Sequence, residues 1–139
     1  KMATKIGLQA LEEADVTAWA REYSPDVVIE TVGGTADTFA QAVRLCRPAG
    51  RVVLLGVFTS DTPVDAFSLV VKELTVLGSV LYGSGRRGPV FKAAVSLLPR
   101  YREEIGLIQT HTFSLDALRE AFACALDKKS GAVKVVIEP

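Results

Sequence analysis

The sequence is poor in several residue types that mark particular classes of protein. It has two cysteines and one histidine in 139 residues, which indicates neither a disulfide framework nor a cysteine- and histidine-rich metal site. Cys46 and Cys124 fall on apolar faces of predicted helices and outside any Cys-x-x-Cys pair. They therefore read as small buried hydrophobic residues in a reducing compartment.

Long apolar runs and an excess of one charge are also missing. No apolar run is long enough to span a bilayer, and the first residues lack the apolar core of a signal peptide. Lys and Arg number 16, equal to Asp and Glu, so neither a nucleic-acid nor a membrane partner is indicated. We expect a cytoplasmic protein. Its 49% of hydrophobic residues is enough for a sizeable core.

Continuous apolar runs alternate with helical patterns along the chain. Residues 27–29, 52–55 and 76–81 are runs without polar alternation, which predicts parallel strands buried on both faces of a sheet. The segment between the first two has helical spacing, with Thr35 as a candidate N-cap. Its apolar face consists of Phe39, Ala42, Val43 and Cys46. A short helix capped by Asp65 precedes the third run.

The stretch GSGRRG, residues 83–88, lies between an apolar run and a helical pattern. Strand, G-x-G-x-x-G and helix are the order of a dinucleotide phosphate loop. However, Pro89 removes an amide from the helix start, and no acidic residue follows the next strand, which ends near His111. We favour a loop that is glycine-rich by chance. A phosphate loop remains the alternative, and Arg86 and Arg87 read better as a charged loop tip than as phosphate ligands.

Four stretches in series carry a family resemblance: PDVVIETVGG, AVRLCRPAGRVVLLGV, VVKELTVLGSVLYG and FSLDALREAFACALDKKSGAVKVVIEP. In this order they resemble the C-terminal part of the medium-chain dehydrogenase/reductases, the zinc-type alcohol and polyol dehydrogenases. The resemblance implies an α/β fold: part of a Rossmann-like, doubly wound parallel sheet with flanking helices, followed by the C-terminal helix and strand of the catalytic domain. Residues 1–104 would belong to the dinucleotide-binding domain and residues 105–139 to the catalytic domain.

The resemblance also implies an activity for a longer protein. That protein would be a zinc-assisted oxidoreductase that uses NAD or NADP on a small alcohol, polyol or carbonyl substrate, although zinc-free quinone-reductase relatives share this half of the fold. The glycine fingerprint and the zinc ligands of the family would lie upstream of Lys1. This chain would then supply the nicotinamide half of the cofactor site, with no catalytic residue and no metal ligand, and would be inactive alone.

The cofactor-binding residues that the resemblance implies follow the three predicted strands, with one more near the C-terminus. They are Thr31, Val32, Gly33, Leu55, Gly56, Val57, Ser79, Val80, Leu81 and Lys134. Glycine at positions 33 and 56 would let the backbone come close to a ligand; the alternative is that these glycines only turn the chain. Glu30 is expected to hydrogen-bond the neighbouring turn rather than to catalyse, and His111 is not expected to act as a base.

Two further hypotheses concern association and an alternative function. The segment from Thr75 to Tyr82 has no proline or lysine to block its edge, and family members commonly pair two such edges, so a homodimer through this segment is expected. A stand-alone, non-catalytic nucleotide-binding or interaction module that uses residues 83–88 as its phosphate loop is the other interpretation of the chain.

Overall fold

The computed structural model describes residues 7–80, 82–85 and 88–139. The chain forms two compact units, of which the first is Leu11–Val90 and the second is Phe91–Pro139 with residues 7–10. The predicted division at residue 104 concerns the domains of a longer protein and stays a prediction.

The first unit is a three-stranded parallel sheet with helices. Its elements are α1 (Glu13–Tyr23), β1 (Val27–Glu30), α2 (Thr38–Leu45), β2 (Arg51–Leu54), α3 (Ala66–Val71) and β3 (Thr75–Gly78). The strands lie in the order β1-β2-β3, and the register places Val27 opposite Arg51 and Arg51 opposite Thr75. The predicted α/β class with a parallel sheet is confirmed.

One face of this sheet forms the core, because the apolar face of α2 packs against it. Val52 is 0% exposed and contacts the buried Ala42 and Cys46 of the helix side. Burial raises the pKa of the Cys46 thiol, and a backbone hydrogen bond at Arg51 and the charges of Lys72 and Arg47 only offset part of that rise. Cys46 is therefore a neutral packing residue, as the sequence predicted.

The opposite face of the sheet is largely open, so the expectation of burial on both faces is wrong for this chain. Ile29 is 57% exposed and Leu77 is 46% exposed. Both point away from α2, since side chains alternate along a strand. Their apolar character alone could not show this exposure.

The start of α2 also differs from the prediction, which placed the N-cap at Thr35. The helix begins at Thr38 with Asp37 at the cap position. Thr35 lies in a turn instead, because the amide of Ala36 donates to the Gly33 carbonyl at 3.3 Å. The cap predicted for α3 is confirmed, since Asp65 Oδ1 accepts from the Ser68 amide at 3.0 Å.

The glycine-rich stretch forms a hairpin. Ser84–Gly85 (β4) pairs antiparallel with Gly88–Pro89 (β5), and the Val90 amide donates to the Gly83 carbonyl at 3.0 Å. The Gly83 amide is itself bonded, to the Val80 carbonyl at 2.9 Å. The amides of Gly83 and Val90 are thus not available to a phosphate, which supports the interpretation that this is not a phosphate loop. The two arginines between the strands lie outside the described residues.

The second unit contains a two-stranded parallel sheet with a helix beside it. After α4 (Val90–Leu97) the chain continues with α5 (Arg102–Gly106), β6 (Gln109–Ser114), a 3₁₀ turn (Leu115–Ala117), α6 (Leu118–Leu126) and β7 (Lys134–Glu138). Strands β6 and β7 pair in parallel, and Ala121 of α6 is 2% exposed. Among the described helices, none has the length and apolar character to cross a membrane.

Lys72, the residue that follows α3, caps the C-terminal end of α2. Its Nζ donates to the carbonyls of Val43, Arg44 and Cys46 at 3.1, 2.8 and 3.0 Å. These carbonyls belong to the last turn of the helix, where the partial negative charge of the helix dipole collects. A single ammonium group thus satisfies three acceptors and fixes α2 against the chain that leads into β3.

We predict that Lys72→Met lowers the free energy of unfolding by about 1–2 kcal/mol, because the three carbonyls lose a charged donor. Methionine keeps most of the aliphatic chain. Lys128→Met, at an exposed position, is the control and should change stability by less than ~0.5 kcal/mol. Urea denaturation of both variants measures the difference. Equal midpoints for the two would contradict this role of Lys72.

Candidate functional site

The segments that follow β1, β2 and β3 lie at one edge of the sheet. Because the strands are neighbours and parallel, their carboxyl ends meet there, which is where open α/β sheets bind ligands. The predicted residues that are exposed at this edge are Thr31, Val32, Leu55, Val57, Ser79 and Val80. Leu81 lies outside the described residues.

The exposed side chains at this edge are mainly apolar. Val32 and Val57 are each 68% exposed, and Val80 is 55% exposed. Ser79 continues the β2–β3 ladder, since its amide donates to the Leu54 carbonyl at 3.0 Å. The edge therefore offers an apolar surface with main-chain groups, a composition that suits a planar ring flanked by polar substituents.

The loops after β1 and β2 are joined to each other. The Gly34 amide donates to the Val57 carbonyl at 2.8 Å, and the Thr59 amide donates to the Gly34 carbonyl at 3.1 Å. Gly34 and Phe58 form a parallel bridge, and the ring of Phe58 lies 6.4 Å from that of Phe39. The two loops thus form one wall, a continuous surface beyond the carboxyl ends of β1 and β2. The pairing of Gly34 with Phe58 was not predicted from the sequence.

Gly33 and Gly56 are required by this contact between the loops. Gly33 has φ +62°, and a Cβ there would lie 2.5 Å from both the amide nitrogen and the carbonyl oxygen of Val57. A Cβ at Gly56 would collide with Glu30 Oε2 and with the Gly33 amide. The approach of a ligand to these glycines stays a prediction. The structure explains them by packing within the protein.

Glu30 joins the end of β1 to the turn and to α2. It is 4% exposed, and its Oε1 accepts from the amides of Val32 and Gly33 at 2.7 and 2.8 Å and from the Thr38 hydroxyl at 2.7 Å. The expectation that Glu30 bonds the neighbouring turn is confirmed. Thr38 was not anticipated, although a hydroxyl at the start of a helix after a buried acid is a signal that could have found it.

The Glu30 carboxyl is ionised despite its burial. Burial raises the pKa of this group, but the hydrogen bonds from Gly33, Thr38 and Val32 and the nearby amide of Gly56 outweigh that effect, so that the net pKa is lowered. Because this pKa is lower in the native state, ionised Glu30 stabilises the fold at a pH above its unfolded-state pKa. That contribution is lost as the pH falls through its native-state pKa. At neutral pH the site therefore contains a buried negative charge.

The second oxygen of this carboxylate is less well satisfied. Among the described residues, Glu30 Oε2 is buried and finds no hydrogen-bond donor. It lies beside Gly56, whose amide bonds instead to the main-chain carbonyl of Glu30 at 3.2 Å. The carboxylate is thus held between the two loops with one oxygen on each side.

His111 and Lys134 lie in the second unit. The His111 ring places Nδ1 3.0 Å from the Thr110 hydroxyl within β6, and the expectation that it does not act as a base stays a prediction. Lys134 is exposed at the start of β7, where its carbonyl accepts from the Thr110 hydroxyl at 3.3 Å. The contact of Lys134 with a cofactor phosphate stays a prediction.

The described residues do not fit a zinc site. Within residues 7–80, 82–85 and 88–139, no three His, Cys, Asp or Glu side chains are grouped as metal ligands would be. Zinc needs three or four such ligands at about 2.0–2.3 Å. No step of a reaction is therefore assigned to zinc on the residues of this chain.

The larger cavity of the first unit lies away from the strand ends. It has a volume of about 540 Å³ between α1 and α2, and Arg44, Arg47 and Lys72 line part of it. These cations have partners, because Arg44 pairs with Asp37 at 3.1 Å, Arg47 pairs with Asp26, and Lys72 binds helix carbonyls. A smaller hollow of about 180 Å³ borders β1 at Glu30, Thr31 and Val32 and adjoins the candidate site.

The three-stranded parallel sheet with its flanking helices defines an α/β protein of the Rossmann type. The sequence model of the zinc-binding dehydrogenases matches residues 1–99, and the chain belongs to this family. The resemblance stated from the sequence is confirmed.

Known relatives agree with this assignment. The alcohol dehydrogenase of Cupriavidus necator is 28% identical over 116 residues, 82% of this chain and 31% of that protein. The 2R,3R-butanediol dehydrogenase of Bacillus subtilis superposes with a TM-score of 0.80 and 26% identity over 99% of this chain and 40% of its own. S. aureus TarJ, solved in complex with NADPH, superposes with a TM-score of 0.63 and 26% sequence identity over 81% of this chain and 36% of its own. This chain thus spans about a third of the length of the curated relative.

We predict that Gly33→Ala destabilises the protein by roughly 3 kcal/mol, because its methyl group meets the Val57 backbone in addition to the strain of a positive φ. Gly34→Ala is the matched control. It has φ +66° but nothing within 4 Å of a Cβ, so it should cost only about 1–2 kcal/mol. Thermal and urea unfolding measure both. A Gly33→Ala protein as stable as Gly34→Ala would show that the loops are not packed as described.

Proposed function

We propose that the protein carrying this chain is an NAD(P)-dependent alcohol or polyol oxidoreductase and that this chain provides the nicotinamide half of its cofactor site. The observation that carries the proposal is the joined pair of loops, residues 31–34 and 55–59, at the carboxyl edge of a parallel sheet. Membership of the zinc-binding dehydrogenase family and the NADPH in TarJ support the same assignment.

The reaction proposed is a reversible hydride transfer. A hydride leaves the carbon of the alcohol for nicotinamide C4, and the hydroxyl proton is released, so that alcohol and NAD(P)⁺ give a carbonyl compound, NAD(P)H and a proton. The cofactor supplies the hydride chemistry, and the protein supplies position and exclusion of water. No residue of this chain is assigned to the proton transfer.

The roles of the residues in this chain are binding and orientation. The main chain at Thr31, Val32 and Gly33 would face the adenosine side or the bridging riboses, and that at Leu55, Gly56 and Val57 the nicotinamide ribose. Ser79, Val80 and Leu81 would offer main-chain groups to the carboxamide. The exposed Val32, Val57 and Val80 would pack against the cofactor and keep water from it.

The remaining elements of the proposal concern the longer protein. Zinc, where the enzyme uses it, would be held by residues outside this chain. Lys134 would reach a cofactor phosphate. A cytoplasmic location fits Cys46 and Cys124, which are both free thiols.

We predict that the protein carrying this chain binds NADH or NADPH and that the isolated 139 residues do not catalyse. The isolated chain should bind either cofactor with a dissociation constant of roughly 1 mM or weaker, because we propose that residues 83–88 do not act as a phosphate loop. Fluorescence titration and an assay of alcohol-dependent NAD(P)⁺ reduction measure these properties. Micromolar binding by the isolated chain that is lost in Gly85→Val and Gly88→Val would instead assign the phosphates to the hairpin.

We also propose that two protomers associate through the outer edge of β3. Among the described strands β3 is at the edge of the sheet. The amides of Thr75 and Ser79 donate toward β2, to the carbonyls of Gly50 and Leu54, so the alternate amides of Val76, Gly78 and Val80 face outward. A strand with free outward amides can pair with its own copy across a two-fold axis.

We predict that Val80→Pro weakens the dimer at least tenfold while the fold persists, because it removes an outward amide and none of the β2–β3 bonds. Val80→Thr, which keeps the amide and the β-branched shape, is the control and should remain dimeric. Sedimentation velocity over a concentration series gives the dissociation constants. A folded Val80→Pro protein that dimerises like the control would exclude this edge as the interface.

A further inference from the structure

We propose that Glu30 is a positioning residue for the cofactor, whose buried carboxylate sets the placement of residues 31–33 relative to residues 55–57. The inference rests on the proposed function, because it assumes that these two segments face NAD(P). It assigns to Glu30 no contact with the cofactor and no part in the chemistry.

The first ground is the set of donors on Oε1. The amides of Val32 and Gly33 both point at this oxygen, at 2.7 and 2.8 Å. Two successive amides that share one acceptor fix the turn at the end of β1, including the positive φ of Gly33. Main-chain groups of Thr31 and Val32 can therefore meet a ligand without first being ordered.

The second ground is that the same residue holds the second loop. The carbonyl of Glu30 accepts from the amides of Leu55 and Gly56 at 2.8 and 3.2 Å. Its Oε2 lies against Gly56, where a Cβ would collide with it. Loss of the carboxylate would release the turn after β1 and the contact with Gly56, and would consequently change the shape of the wall that the two joined loops form.

The third ground is the connection to α2. Thr38 donates its hydroxyl to Oε1 at 2.7 Å, and Thr38 is the first residue of that helix. Glu30 is 4% exposed, so water cannot readily replace a missing donor. Loss of one hydrogen-bond partner would therefore leave its buried charge uncompensated. The position of the loops is thus coupled to the sheet and to the helix that covers it.

The test uses the protein that carries this chain and measures NADH and NADPH affinity by fluorescence titration. Glu30→Gln is expected to raise the dissociation constant of the preferred cofactor about tenfold, equivalent to ~1.4 kcal/mol. The KM for the alcohol should change less than twofold. Hydrogen–deuterium exchange of the unliganded protein should accelerate in peptides covering residues 31–34 and 55–58.

Three variants separate positioning from general destabilisation. Thr38→Val removes the hydroxyl at nearly constant shape and should weaken cofactor binding roughly threefold, whereas Thr38→Ser keeps the hydroxyl and should bind as wild type. Val43→Ala removes buried volume from α2, where Val43 is 0% exposed. It should lower the melting temperature but change the cofactor affinity less than twofold.

Three results would overturn the inference. One is a wild-type affinity in Glu30→Gln despite faster exchange of the loops. Another is a loss of affinity in Val43→Ala as large as in Glu30→Gln. If Glu30→Gln does not fold, the Thr38 pair decides, and equal affinities of Thr38→Val and Thr38→Ser would reject the role. A wild-type protein that binds neither cofactor would instead reject the proposed function, and this inference with it.

Discussion

The rest of the site depends on one buried carboxylate. Glu30 is ionised inside the protein because three donors surround Oε1, and those donors belong to the turn after β1 and to the start of α2. The main chain of the same residue carries the loop after β2. An uncompensated charge at this depth would be costly. The hydrogen bonds of this charge therefore hold the two loops in position. In that position there is no space for a side chain at residue 33 or 56, so both must be glycine.

The remainder of the first unit supports this arrangement and leaves other surfaces open. Packing of α2 on one face of the sheet holds β1 and β2 in register, and Lys72 holds the far end of the helix. The other face exposes apolar side chains such as Ile29 and Leu77. Apolar surface of this kind is typical of a face that another element covers. In the proposed function, the longer protein would cover the face and a second protomer the edge of β3.

Much of this could be predicted from the sequence, since apolar runs and helical spacing record local periodicity. They gave the three parallel strands, α2 and the bonding of Glu30 to its turn. They could not show that Ile29 is exposed, because hydrophobicity does not say what lies on either side of a strand. They also placed the cap of α2 at Thr35. The pairing of Gly34 with Phe58 holds residue 35 in a loop, and a contact between residues so distant in the chain leaves no trace in local periodicity. For the same reason the sequence could not show the close approach of Gly33 to Val57.

We propose that the joined loops form one wall of the cofactor cleft, and a crystal structure of the protein carrying this chain with NADH or NADPH bound would test this. We expect the nicotinamide half of the cofactor beside Val32, Val57 and Val80. Main-chain groups of residues 31–33 and 55–57 should lie within hydrogen-bond distance of it, with Glu30 still bonded to its three donors. A cofactor whose phosphates lie on residues 83–88, with residues 31–33 and 55–57 free of contact, would contradict it.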